Sequence, residues 1–251
     1  MKIIDKITSE RYFKDISENS DTFMISVIGS LLREDYIEGW SDIDLVIVTH
    51  TNSLSYFGLV NNYIKDVSKL TEVKVGVEVV PLSVIEKNAK RKICPGGTVK
   101  IAKNFYKDSL MWKKGILYVK KNVVIPKFNL ASIKKESVLA YALGVVDYMN
   151  KFMLANSDLK DRKLILRKII KNSLLLIQTD LIIETEELTV DFTLALQSFK
   201  SLFNFDLRVL EESFDRRFLW KTLKDGDIDK KEIENNWKVF NVLSNFIIER
   251  C

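Results

Sequence analysis

Apolar positions come as short runs in the first half of the chain and as long three- and four-residue repeats in the second. Residues 24–28 and 45–48 are unbroken apolar runs bounded by polar turn residues, and they predict strands over 22–28 and 43–49. Leu54, Phe57, Val60, Ile64, Val67 and Leu70 recur at helical steps, so an amphipathic helix follows. A third strand is expected over 73–80, with Pro81 opening a helix, and a short one over 115–119. A helix over 8–20, a CPGG loop at 94–97 and a helical stretch from about residue 98 complete this half.

Beyond Pro126 the periodicity is helical almost to the end. Segments 132–155, 159–186, 191–220 and 229–250 each repeat at helical spacing and contain no proline. Asp229 followed by Glu232 predicts a reciprocal capping box on the last of them. The resulting fold class is α+β: an N-terminal mixed sheet with flanking helices over 1–121, then a helical bundle over 122–251.

Composition changes this picture little. The chain has 251 residues, 47% hydrophobic and 29% charged, enough for one large or two small cores. Nine glycines and three prolines argue against long flexible linkers. The first residues are charged and lack the apolar centre of a leader, and no run of eighteen apolar residues occurs, so neither export nor a membrane span is expected. Two cysteines, Cys94 and Cys251, make no framework, so a cytoplasmic protein is expected. The net charge of +5 tolerates a polyanion without requiring one. The lysine clusters at 90–92, 113–114 and 120–121 read first as a solvated face.

Chemistry concentrates between Gly29 and Val48, GSLLREDYIEGWSDIDLVIV. A strand leads into Gly29 and Ser30, and a second begins at Asp42, Ile43 and Asp44. Strand side chains alternate, so Asp42 and Asp44 share a face about 7 Å apart while Ile43 points inward. Such a pair is electrostatically unfavourable without a cation, and oxygen ligands of this kind suit Mg²⁺ or Mn²⁺. Gly29 lets a backbone approach a phosphate closely, and Ser30 supplies a hydroxyl. Glu78 interrupts an apolar strand in which a buried, unpaired charge would be costly. It reads either as a functional acid or as an edge-strand glutamate facing water.

Gly-Ser, a spacer of eleven residues and Asp-hydrophobic-Asp resemble the signature of the DNA polymerase beta-like nucleotidyltransferase superfamily. Gly115, Ile116, Leu117 and Tyr118 resemble the short terminal strand of such domains. The resemblance covers about half the chain. It implies an enzyme that moves a nucleoside monophosphate from a nucleoside triphosphate, ATP first, to a hydroxyl, with pyrophosphate leaving. Asp42 and Asp44 would then hold two Mg²⁺ ions, Gly29 and Ser30 would grip the triphosphate, and Glu78 would complete the metal site or take the acceptor proton.

The helical second half resembles, in architecture, that of the aminoglycoside nucleotidyltransferases. That implies a small-molecule acceptor and a role in antibiotic resistance; the alternatives are an RNA 3′ end or a protein hydroxyl as the less favoured acceptor, or a nucleotide-binding regulatory protein of weak activity, and a homodimer is left open. Asp147, with Gln178 and Asp180, is a candidate for binding the acceptor, and Lys168, with Arg167, for reaching the triphosphate. His50 follows the second strand and reads as a loop residue.

Overall fold

The computed structural model describes residues 3–9, 11–50, 53–93, 104–187, 189 and 191–250. The CPGG loop and the start of the helical stretch expected from about residue 98 lie outside them, and where the description resumes, residues 104–109 form turns and a bridge rather than helix. Two compact units result, Met1–Asn129 and Leu130–Cys251.

The first unit is built on a four-stranded mixed sheet: β1 (Thr22–Ile28), β2 (Ile43–Thr49), β3 (Val75–Pro81) and β4 (Ile116–Val119), in the order β3-β2-β1-β4. β1 runs antiparallel to both β2 and β4, and β2 runs parallel to β3. β1 and β2 are central and buried on both faces, which is why their sequences read as continuous apolar runs rather than alternating ones. Helices α1 (Ile3–Ser9), α2 (Arg11–Ser17), α3 (Ser30–Arg33), α4 (Leu54–Thr71) and α5 (Leu82–Arg91) surround the sheet.

The core face of α4 differs from the one its aliphatic residues suggest. Tyr56, Val60, Tyr63 and Val67 are buried, whereas Leu54 is 89% exposed and Phe57 and Leu70 face solvent. Two tyrosines can occupy a core because their hydroxyls find partners. Tyr56 shares a hydrogen bond with the Thr22 hydroxyl at 2.8 Å, and Tyr63 donates to the Ile7 carbonyl at 3.2 Å. Burial raises the Tyr56 pKa above its ordinary value, partly offset by hydrogen bonds with Thr22 and Thr49. Ser53 caps the helix by accepting from the Tyr56 amide.

One turn of π-helix, Met111–Gly115, delivers the chain into β4. Its last residue is glycine for a steric reason. A Cβ on Gly115 would lie 2.6 Å from the Val27 carbonyl oxygen and 2.7 Å from a Leu32 methyl, so β1 and α3 close directly over it. After β4 the connector stays with the first unit as far as Asn129, beyond the boundary expected at 121. The Lys107 amide donates to the Phe128 carbonyl at 2.6 Å and the Phe128 amide to the Phe105 carbonyl at 3.0 Å, which tie it back.

The second unit is helical: α6 (Lys135–Ala155), α7 (Arg162–Thr185), α8 (Phe192–Phe203), α9 (Arg208–Asp215) and α10 (Lys230–Glu249). α7 is the central helix and packs against α6, α8 and α10, which explains why its apolar residues run around most of its circumference. By length and apolarity α6 could cross a bilayer; in the bundle it buries the stripe Val138, Ala142, Val145 and Met149.

The helix expected over 191–220 is broken. Asn204 adopts a left-handed conformation that ends α8, and its amide caps onto the Lys200 carbonyl. The break lets Phe205 join Phe199, Phe203 and Phe246, with ring centroids 4.8–6.0 Å apart. The capping box on α10 is also only half formed. Asp229 accepts from the Lys231 amide at 3.1 Å, but Glu232 turns to Arg216 and Ser213 instead.

Candidate functional site

β1 ends at Ile28, whose register partner is Asp44, and the chain then turns sharply at Gly29. Gly29 has φ 75° and ψ −143°, a region essentially closed to residues with a side chain. A Cβ there would lie 3.2 Å from Asp44 Oδ2. The turn therefore rests against the Asp44 carboxylate; the backbone conformation calls for glycine, and a side chain there would also press on Asp44. Ser30, 9% exposed, opens α3, whose Leu32 and Arg33 amides bond back to the Gly29 carbonyl at 3.2 and 3.3 Å.

Between α3 and β2 the chain is held by its own polar groups. Arg33 Nε donates to Asp35 Oδ2 at 3.0 Å, with the arginine side chain almost covered. Ser41, buried, accepts from the Ile37 amide at 3.0 Å while its own amide donates to the Ile37 carbonyl at 2.8 Å. This closed loop sets where Asp42 begins. Neither Arg33 nor Ser41 stood out in the sequence, because each acts through a partner two to four residues away that is as common in any turn.

Asp42 and Asp44 are half-buried, and Ile43 between them is fully buried, as alternation requires. Across the parallel pair, Asp44 faces Gly76 and Val46 faces Glu78. Register partners in a sheet share a face, so Asp42, Asp44 and Glu78 all project from one side of it. Strand spacing and rise put Glu78 about 8 Å from Asp44, Cα to Cα. Glu78 is half-buried on an edge strand, so both sequence readings of it meet at one position. Among the described residues no three His, Cys, Asp or Glu side chains come together in an arrangement able to hold a metal. A pair of carboxylates is nonetheless a workable donor set for Mg²⁺, which is commonly held by one or two protein carboxylates together with substrate phosphates and water.

Alanine at Gly29 is expected to lower the unfolding free energy by roughly 1–3 kcal/mol, the range for a residue forced into such a conformation. It also pushes on Asp44. A loss of turnover larger than the melting shift accounts for would mark the turn as part of the site, and an unchanged melting temperature would contradict the close contact.

The other candidates lie elsewhere. His50 is exposed at the far end of β2, its ring edge-on to Phe23 at 5.8 Å. In the second unit Asp147 is exposed on α6 and accepts from Lys151 at 2.7 Å. Lys168 on α7 stands 5.6 Å over the ring of Tyr148, next to Asp147, and Tyr148 stacks on Phe152. Gln178 is buried and donates to the Thr189 carbonyl at 2.7 Å. Asp180 is 1% exposed, and both its oxygens accept from Arg250 Nη1, at 2.9 and 3.0 Å. Burial pushes its pKa up to about 6 against the opposing pull of Arg250. Gln178 and Asp180 are thus committed to the bundle interior, with partners that lie too far along the chain for periodicity to reveal.

No curated protein matches the chain. Residues 9–104, the span that carries Gly29, Ser30, Asp42, Asp44 and Glu78, match the family model of the nucleotidyltransferase domain.

Proposed function

We propose that the protein transfers a nucleoside monophosphate, AMP from ATP in the first instance, to a hydroxyl acceptor with release of pyrophosphate. The observation that carries this reading is the seating of the Gly29 turn on Asp44, which brings a phosphate-sized approach to backbone within reach of a carboxylate. Asp42 and Asp44 are the residues that would hold Mg²⁺, and the bound ion would neutralise charge on the transferring phosphoryl group. Gly29 and Ser30 orient the triphosphate. Glu78, spaced off the aspartate pair on the same face, takes the proton of the attacking hydroxyl as the bond from the α-phosphorus to pyrophosphate breaks. Positioning supplies most of the remaining rate.

For the acceptor, a small polyhydroxylated molecule such as an aminoglycoside is the first reading, supported by the α+β arrangement with a helical second unit. An acidic contact for it would come from Asp147, which is exposed and paired at the surface with Lys151, whereas Asp180 is buried on Arg250. A second reading, an RNA 3′ end, is supported by the lysine-rich edge of the sheet described below.

The test is incubation of the whole protein with Mg²⁺ and each of the four nucleoside triphosphates against pools of aminoglycosides and of RNA oligonucleotides. Acceptor-dependent pyrophosphate release, with a product one nucleoside monophosphate heavier by mass spectrometry, is expected from one pool. Silence from every triphosphate with every pool would sink the transfer chemistry.

A further inference from the structure

The positive charge of this protein is not spread over it. Residues 107–127 carry six lysines against one aspartate, an excess of five that equals the net charge of the whole chain, so elsewhere basic and acidic residues balance. This segment is one structural feature, the free edge of the sheet formed by the π-helical turn, β4 and the connector that follows.

Lys107, Lys113, Lys114, Lys121 and Lys127 are exposed, and Lys120 is half-buried. Lys114 is paired with Glu34 at 2.8 Å and Lys120 donates to the Ser20 carbonyl at 2.7 Å. Lys107, Lys113, Lys121 and Lys127 form no ion pair among the described residues, and Asp108 is the one acid within the segment. The parallel Tyr106–Phe128 bridge holds the segments of Lys107 and Lys127 next to each other, with the two lysines offset by two register steps. Aromatic rings lie beneath the cations. Lys127 sits 5.1 Å over Trp112, and Lys120 sits 5.5 Å over Phe23.

The segment also has a direction. β4 is antiparallel to β1, and Gly115 touches Val27 and Leu32, so Lys113 and Lys114 lie at the end of the sheet where Gly29 and Ser30 turn. Lys120 and Lys121 lie at the opposite end, beyond the four residues of β4.

We propose that the β4 edge, through Lys107, Lys113, Lys121 and Lys127, is a binding track for the phosphate backbone of single-stranded nucleic acid. Lysines supply the sequence-independent attraction to phosphate, and half-buried rings beside them offer faces on which unpaired bases stack. An acidic peptide would use the charge but not the rings. A membrane surface is favoured by protruding Trp, Phe or Leu, whereas Trp112 and Phe23 are half-buried. Only the polarity of the track, its running up to the Gly29 turn, rests on the proposed transfer chemistry.

The test is fluorescence anisotropy of a labelled, unstructured 12-nucleotide RNA with the full chain. Binding should weaken with salt. Alanine at Lys107, Lys113, Lys121 and Lys127 together should weaken it roughly ten-fold or more at about 0.1 M salt and flatten the log–log salt slope by about 3, the counterion release of four contacts to a single strand. Arginine at the same four positions should restore both. Asp44→Asn protein should bind at least as tightly as wild type, so a failure of the transfer reading leaves this result standing. The proposal is overturned if wild type does not bind, if the alanine variant binds within two-fold of wild type, or if poly-glutamate or phosphatidylcholine vesicles with 30% phosphatidylserine compete as well as the RNA.

Discussion

Asparagine in place of Asp44 is expected to lower Mg²⁺-dependent pyrophosphate release by about three orders of magnitude while leaving the melting temperature close to that of wild type. The side chain is isosteric and half-buried, so packing against Gly29 and Gly76 survives. What is lost is charge. A bound divalent ion contributes several kcal/mol to such a reaction, and about 4 kcal/mol corresponds to a thousand-fold in rate. Asp42→Asn should act alike, and the double variant should be little worse than either single one, since the two carboxylates work as a unit. Turnover unchanged in either single variant would remove the paired-carboxylate account, whatever the fate of the fold.

The largest stability effect is expected in the second unit. Arg250→Ala leaves Asp180 buried without the guanidinium nitrogen from which both its oxygens accept, and breaking a buried pair from one side costs about 3–5 kcal/mol. Glu184 also loses its contact with Arg250. The pH dependence has a definite sign. Because burial raises the Asp180 pKa to about 6 from 3.8, the folded protein holds a proton between those values that the unfolded chain has released. The associated stability is fully present below pH 4 and is lost as pH rises through 6, by about 3 kcal/mol. Urea unfolding at pH 4, 5 and 7 reads this directly. Asp180→Asn should flatten that profile. Equal profiles for wild type and Asp180→Asn, or an Arg250→Ala loss under 1 kcal/mol, would show that the carboxylate is solvated.

How much of this was legible in the sequence depends on how local the cause is. β1 and β2 were bounded residue for residue, because central strands buried on both faces leave unbroken apolar runs between turns. The nearness of Gly29 to Asp44 follows from the same cause, since two strands joined by one closed loop bring those positions side by side. The face of α4 is not legible from spacing, because hydrophobicity alone ranks Leu54 and Phe57 above Tyr56 and Tyr63, whereas the hydroxyl partners that admit tyrosine to the core come from Thr22 and Ile7. The break at Asn204 is hidden in the sequence because the phenylalanines continue the helical spacing through it. Asp180 and Asp147 looked alike in sequence, both acids in apolar surroundings. One faces solvent beside Lys151, and the other is buried on a residue seventy positions away.

Gly115 has no functional group and stands well over eighty residues from the turn at Gly29. Yet the Val27 carbonyl and the Leu32 methyl meet over its missing side chain, so the height of α3 above the sheet is set by a single hydrogen atom. Selection on the site therefore reaches a residue that no chemical inventory would include. Among related sequences this glycine should be held fixed even where position 32 becomes smaller, because the Val27 carbonyl is backbone and trimming Leu32 leaves it in place.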